Sequence, residues 1–80
     1  MSMKRLLQEM LNEHPKPHSV EYYATVLELK KFQVRNYIRT LKGRGWLNVT
    51  QGISRPYYAL RDDVKDAILL LGVENVIRRK

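Results

Sequence analysis

The chain of 80 residues contains no cysteine. Disulfide bonds, thiolate metal sites and cysteine nucleophiles are therefore excluded, and the apolar core alone must stabilise the fold. Long hydrophobic runs are absent as well, because the longest uninterrupted apolar run is 67–71, far short of the roughly 20 residues that span a bilayer. The N-terminal segment has no long apolar stretch and no small-residue cleavage site, so we expect no signal peptide and a cytoplasmic location.

Acidic residues are missing from the whole of segment 29–61. This segment holds eight basic residues, whereas the rest of the chain carries seven basic and eight acidic ones, so the net charge of +7 is concentrated there. A basic stretch confined to one part of a folded chain is typical of a polyanion-binding surface. A surface that only keeps a protein in solution usually mixes both signs of charge. The charge distribution therefore favours a nucleic acid as partner.

Patterns for catalysis and metal binding are scarce. His14 and His18 have the spacing of metal ligands on a helix, but Pro15 and Pro17 prevent that helix and no third ligand lies nearby. We therefore expect an exposed loop pair and no metal site. No nucleophile–base set is visible, segment 43–45 is not a phosphate-binding loop, and so short a chain leaves little room for a concave active site. The chain is expected to be neither an enzyme nor the holder of a cofactor.

Apolar residues recur with the 3.6-residue period of a helix in four segments. His14-Pro15 ends the first helix, because the residue before proline is pushed out of the α region, and Ser19 is the expected N-cap of the second. The predicted helices are at about 2–13, 19–27, 31–42 and 62–77, and the predicted strands at about 46–50 and 56–60. Gly72 is a candidate break inside the last helix.

The order of helices and strands predicts an α+β fold, mainly α: a winged helix-turn-helix with a three-helix core and a two-stranded hairpin as the wing. Small Ala24 allows two helices to cross closely, and Leu29 fills the turn between them. We expect one domain over 1–80, with the helix-turn-helix at about 19–42, the wing at about 46–60 and an extra C-terminal helix at about 62–77.

The outer face of the predicted third helix is polar and basic. A major groove about 12 Å wide admits one helix, in which Arg reads guanine and Asn or Gln reads adenine through two hydrogen bonds. The predicted base-reading residues are Gln33, Arg35, Asn36 and Arg39. Phosphate contacts suit residues near helix ends, and the predicted ones are Lys30, Lys31, Thr40, Lys42 and Arg44. In the wing, Ser54 and Arg55 are expected to reach an adjacent minor groove or the DNA backbone.

Six of the seven aromatic residues, the tyrosines and the tryptophan, divide into two groups. Those on apolar stripes or at the base of the hairpin are predicted to belong to the core: Tyr23, Tyr37 and Trp46. The others stay open as groups that could stack on bases: Tyr22, Tyr57 and Tyr58.

The stretch 20–47, VEYYATVLELKKFQVRNYIRTLKGRGWL, resembles the winged helix-turn-helix DNA-binding superfamily. Glu28 is a departure, since many members have Gly there. Within the superfamily the chain is similar to the small PapI/FaeA-type fimbrial phase-variation regulators, in Phe32-Gln33-Val34-Arg35, Tyr37, Leu41, Gly45 and Tyr57-Tyr58. The resemblance implies a DNA-binding co-regulator that acts beside a larger regulatory protein, and a small phage or plasmid regulator fits equally well.

Two classes of function remain open. The first is a sequence-specific regulator of transcription that binds double-stranded DNA and is associated with the bacterial nucleoid. The second is a winged-helix interaction module that binds an acidic protein or single-stranded nucleic acid. Apolar residues on the third helix would be more usual for a protein-binding module.

Segment 67–71 is apolar on every side of its helix, so we expect the C-terminal helix to serve assembly, as a homodimer, rather than the core.

Overall fold

The computed structural model describes residues 2–78. The elements of this part are α1 (Ser2–Glu13), α2 (Val20–Leu27), α3 (Lys31–Gly43), β1 (Leu47–Gln51), β2 (Pro56–Leu60), α4 (Asp62–Leu71) and α5 (Val73–Arg78). Their order confirms the predicted fold class, an α+β winged helix-turn-helix that is mainly α. The segment expected as one C-terminal helix consists of two, because Gly72 has a φ of 88° and a ψ of 152°, a backbone region that favours glycine.

One apolar core joins all the elements. Helix α1 packs against α2, α5 and β2, and its stripe of Leu6, Leu7 and Met10 is almost completely buried. Tyr23 is also fully buried, as predicted, while Tyr37 and Trp46 are partly buried against the core. The remaining buried members are Ala24, Leu27, Val34, Ile38, Leu41, Leu47, Leu60, Val64, Ile68, Val73 and Val76.

The turn between α2 and α3 is built by backbone hydrogen bonds. Ser19 caps α2 as predicted, since its Oγ accepts from the N–H of Tyr22 at 3.2 Å. At the other end Glu28 has a left-handed conformation, with φ 56° and ψ 44°. The N–H of Glu28 then donates to the carbonyl of Thr25 and the N–H of Leu29 to that of Ala24, at 3.3 and 2.9 Å. These two hydrogen bonds end α2 and set the direction in which α3 begins.

The wing is an antiparallel hairpin in which Leu47 pairs with Leu60 and Gln51 with Pro56. Its turn is closed by the N–H of Gly52, which donates to the carbonyl of Arg55 at 2.9 Å. A Cβ at Gly52 would lie 2.6 Å from that same carbonyl oxygen and would also collide with the ring of Tyr57. Glycine is therefore the residue that allows the turn to be this tight.

The connector between α1 and α2 is joined to the wing. The N–H of His18 donates to the carbonyl of Tyr58, and the N–H of Tyr58 donates back to the carbonyl of His18, at 3.0 and 2.7 Å. His18 therefore acts as a third, one-residue strand beside β2. The buried hydroxyl of Tyr23 donates to the same Tyr58 carbonyl at 2.8 Å, which fixes α2 to the hairpin.

The expectation that His14 and His18 form an exposed pair is wrong. Their side chains are only 7% and 13% exposed, and their Nε2 atoms lie 2.9 and 2.7 Å from carboxylate oxygens of Asp62 and Glu13. His18 also stacks on the ring of Tyr22. The two imidazoles lie where the connector meets β2 and the start of α4, while Pro15 and Lys16 of the same connector stay exposed. Among residues 2–78, no group of three or more possible ligands is placed to hold a metal ion.

Helices α4 and α5 complete the core as well as exposing apolar surface. Val64, Ile68, Val73 and Val76 are buried, so the expectation that this segment serves assembly rather than the core is wrong. By contrast, the side chains of Leu69 and Leu70 are 65% and 83% exposed. Within the described residues, no helix is long and apolar enough to cross a membrane.

Candidate nucleic-acid interface

Helix α3 turns one face to the core and the opposite face to solvent. Val34, Ile38 and Leu41 are buried, and their spacing of four and three residues places them on one side. The residues at the centre of the opposite side are exposed and have the same spacing: Phe32, Asn36 and Arg39. This outward ridge of α3 is the surface that a DNA groove would meet.

A basic row lies on the side of α3 that faces the hairpin. Arg35, Arg39 and Lys42 line a groove of about 250 Å³, together with Val20 and Tyr58. The groove continues past Arg35 to the wing residues Ser54 and Arg55. Throughout the described part of the chain, the side chains of Arg39 and Lys42 have no hydrogen-bond or ion-pair partner, so their charges are available to a phosphate.

Arg55 is held across the groove by an acidic residue of α2. Its Nη1 lies 3.2 Å from Oε1 of Glu21. A backbone hydrogen bond at Glu21, followed by the positive charges of Arg55, Lys31 and Arg35, lowers the pKa of this carboxyl despite its partial burial. Glu21 is therefore ionised at neutral pH and places a negative charge beside the basic row. Sequence reasoning missed this contact because Glu21 lies outside the basic segment 29–61.

Gln33 has a different position from the other predicted base-reading residues. Its side chain is half-buried, and its Oε1 accepts from the N–H of Lys30 at 3.1 Å, which caps the start of α3. A two-bond contact with adenine requires both the oxygen and the nitrogen of the amide. In this structure the oxygen serves the helix, so Asn36 is the amide that remains open to a base.

The predicted phosphate contacts are distributed unevenly over the surface. Lys30 and Lys31 are exposed at the start of α3, and Lys42 is exposed at its end. The Oγ1 of Thr40 donates to the carbonyl of Asn36 at 3.1 Å. Arg44 instead lies over the ring of Trp46, 5.0 Å from the ring centre, and its Nη1 donates to the carbonyl of Ile77 at 3.4 Å. The structure thus turns Arg44 toward α5, which the local sequence does not indicate.

Phe32 is the residue of the outward ridge that the sequence analysis did not assign. Its side chain is 57% exposed in the first turn of α3. An aromatic residue beside an apolar stripe suggests core packing, so the local sequence does not mark Phe32 as a surface residue. Its spacing of four and seven residues from Asn36 and Arg39 is the signal that could have placed it on the outer face.

Among the comparisons with known proteins, only the one with solved structures found similar chains, and it supports the fold described above. A scan against protein families found no match, and a search of curated proteins found none either. Among solved structures, the chain is similar to the ST1889 protein from the thermoacidophilic archaeon Sulfolobus tokodaii, with 24% identity and a TM-score of 0.69 over 99% of this chain and 78% of that one.

A second solved structure is the heme sensor protein PefR in complex with heme and carbon monoxide. It has 14% identity and a TM-score of 0.65, over 90% of this chain and 53% of that one. This chain therefore spans about half the length of the heme sensor. At these identities the likeness concerns the fold, and the fold of the chain is the winged helix-turn-helix.

Proposed function

We propose that the protein is a sequence-specific regulator or co-regulator of transcription, bacterial or phage, that binds double-stranded DNA in the cytoplasm and has no catalytic activity of its own. The observation that carries the proposal is the outer side of α3, which apart from Phe32 is polar and basic and borders a groove lined by Arg35, Arg39 and Lys42. Helix α3 enters the major groove, and the wing lies on the flanking backbone or minor groove. The resemblance to PapI/FaeA-type regulators supports action beside a larger regulatory protein.

The proposal gives the residues of α3 separate roles. Asn36 and Arg39 lie on the outward ridge and contact bases. Lys42 and Arg35 flank the groove toward the hairpin and contact phosphates, as do Lys30 and Lys31 at the start of the helix. Contacts to bases carry sequence preference, whereas contacts to phosphates carry affinity for any DNA.

The test is a pair of alanine variants, measured on a site selected from random DNA and on a random duplex. Asn36→Ala is expected to cost about 1–3 kcal/mol on the selected site and much less on the random duplex. Lys42→Ala is expected to weaken both duplexes similarly and to lower the slope of log affinity against log salt by about one unit. Lys65→Ala, on α4, makes the same charge change and is the control.

The same titrations also test whether the protein binds duplex DNA and whether α3 reads bases. Wild-type affinity that does not change with salt, or no duplex binding at low salt, would contradict DNA binding. Equal proportional losses of both variants on both duplexes would contradict base reading by α3.

One observation favours the alternative, an interaction module for an acidic protein or single-stranded nucleic acid. Phe32 is 57% exposed on the outward ridge, and exposed aromatic side chains are frequent at protein interfaces and stack readily on unpaired bases. Tighter binding to single-stranded than to double-stranded DNA of the same sequence would support this alternative.

We also propose that two copies associate through α4. Leu69 and Leu70 are adjacent and 65% and 83% exposed, and a two-fold axis would bury the same leucines from both copies. Sedimentation velocity from micromolar to millimolar concentration tests this. The wild type is expected to dimerise and Leu70→Asp to remain a monomer, and a wild type that is monomeric throughout would contradict it.

A further inference from the structure

Phe32 occupies the first turn of α3, at the start of the outward ridge. In winged and other helix-turn-helix proteins the residues near the beginning of the recognition helix contact base edges. The side chain of Phe32 is 57% exposed, whereas the next residue but one, Val34, is completely buried. Phe32 therefore points away from the core and leaves its ring in water in the free protein.

The chemistry of the major groove offers this ring one apolar partner. Each base pair presents hydrogen-bond donors and acceptors there, and thymine adds the methyl group on C5, which suits contact with phenylalanine. We infer that Phe32 is a specificity-determining residue that contacts the 5-methyl group of a thymine, an inference that rests on the proposed DNA binding. A phenyl ring cannot satisfy the donors and acceptors of the other bases, so it disfavours them at this position.

The spacing along α3 relates this thymine to the base that Asn36 reads. Phe32 and Asn36 are four residues apart, which is about 6 Å along the helix axis and about two base-pair steps of DNA. Both side chains are exposed on the same ridge. The selected site is therefore expected to contain a thymine within about two base pairs of the adenine that Asn36 contacts.

Replacing thymine by deoxyuridine tests the inference, because it removes the methyl group and leaves the hydrogen-bonding edge unchanged. Each thymine of a duplex selected from random DNA is replaced in turn. The wild type is expected to lose about four-fold in affinity at one position, the value of one buried methyl-sized group. Phe32→Ala should bind the thymine and uracil duplexes equally, and Phe32→Leu should keep part of the preference.

The control variant is Val26→Ala, which shortens an apolar side chain of α2 that is 44% exposed and should keep the wild-type ratio of affinities for the thymine and uracil duplexes. Circular dichroism checks that each variant is folded. A wild type insensitive to the methyl group at every thymine would overturn the inference, as would a Phe32→Ala variant that retains the sensitivity. In both cases duplex binding persists and the proposed function stands. Absence of wild-type duplex binding would refute the proposed function and the inference together.

Discussion

Glu28 is the one residue other than glycine, within the described 2–78, whose backbone has a positive φ. Its left-handed conformation costs an L-residue roughly 1–2 kcal/mol, because Cβ approaches the following carbonyl. The conformation persists because it lets the N–H groups of Glu28 and Leu29 reach the last carbonyls of α2. The turn of the helix-turn-helix is therefore built without the glycine that usually allows it.

Glu28→Gly is expected to raise the free energy of unfolding by about 1 kcal/mol, since glycine adopts this conformation freely but loses more entropy on folding. Urea denaturation of the wild type and the variant measures the difference. Thr25→Gly, at an exposed position inside α2, is the matched control and should lower the free energy of unfolding by about 0.3 kcal/mol, since threonine is itself a weak helix former. If Glu28→Gly is also destabilising, the Glu28 side chain contributes more than the conformational cost.

Glu21 is the residue whose charge opposes the basic row. Its carboxylate pairs with Arg55 at 3.2 Å and borders the groove between α3 and the wing. DNA bound as proposed, with the wing on its backbone, would either share Arg55 with Glu21 or separate the two. After a backbone hydrogen bond at Glu21, the positive charges of Arg55, Lys31 and Arg35 also lower the pKa of this carboxyl.

Glu21→Gln is expected to raise the affinity for duplex DNA roughly two- to five-fold at low salt, because it removes a nearby negative charge and releases Arg55. The salt slope should steepen by up to about one unit if Arg55 then contacts a phosphate. Fluorescence anisotropy at several salt concentrations measures both quantities. Asp66→Asn makes the same charge change on α4 and should have little effect. Weaker binding by Glu21→Gln would mean that the ion pair instead holds the wing ready for DNA.

At the scale of elements, α4 has one side buried in the core and another side exposed to solvent. Ile68 is 3% exposed and lies in the core, while Leu70, two residues later, is 83% exposed. Two residues along a helix are separated by about 200°, so the pair lies on nearly opposite sides. The helix can therefore complete the core with one side and present leucines to a partner with the other.

Ile68→Ala is expected to lower the free energy of unfolding by about 2–5 kcal/mol, the usual cost of a large-to-small change in a core. Leu70→Ala should change it by less than about 0.5 kcal/mol when the protein is dilute. Denaturant unfolding at low micromolar concentration compares the two. Similar losses of unfolding free energy for both variants would contradict the division of α4 into a buried and an exposed side.

Deletion of 62–80 should unfold the chain, because it removes four buried residues.

Local patterns predicted the elements well. The apolar stripes placed α1, α2 and α3 within about one residue of their observed ends, and Ser19 was correct as the cap of α2. These features depend on neighbours within a few positions, which a repeat of 3.6 residues reports directly. Gly72 also marked the break between α4 and α5.

Long-range contacts decided what the sequence could not predict. The buried side chain of His14 contacts Asp62, 48 positions away. Arg44 likewise turns toward the distant carbonyl of Ile77, and Arg55 toward the distant carboxylate of Glu21. Composition predicted that segment 29–61 carries the charge, but the direction of Arg44 and Arg55 depends on which distant carbonyl or carboxylate the fold brings near.

The excess of basic residues and the exposed pair of leucines lie on different elements of the molecule. Segment 29–61 contributes α3 and the wing, which hold the cations, while the exposed leucines lie on α4. Two copies joined by the same surface are related by a two-fold axis. Such a dimer would present two copies of α3, and a symmetric pair of helices reads a symmetric pair of half-sites.

The sites selected by the wild type are therefore expected to be inverted repeats, with half-site centres about 10 base pairs or a multiple of one helical turn apart. Leu70→Asp should select single half-sites, and its salt slope should be about half that of the wild type, since one copy neutralises half as many phosphates. Selection from random duplexes, followed by salt titration, measures both. Asn12→Asp, on α1, adds the same charge at an exposed position and should behave as the wild type. If the wild type and Leu70→Asp select the same single half-site with equal salt slopes, the protein binds DNA as a monomer, and the leucines of α4 have another role.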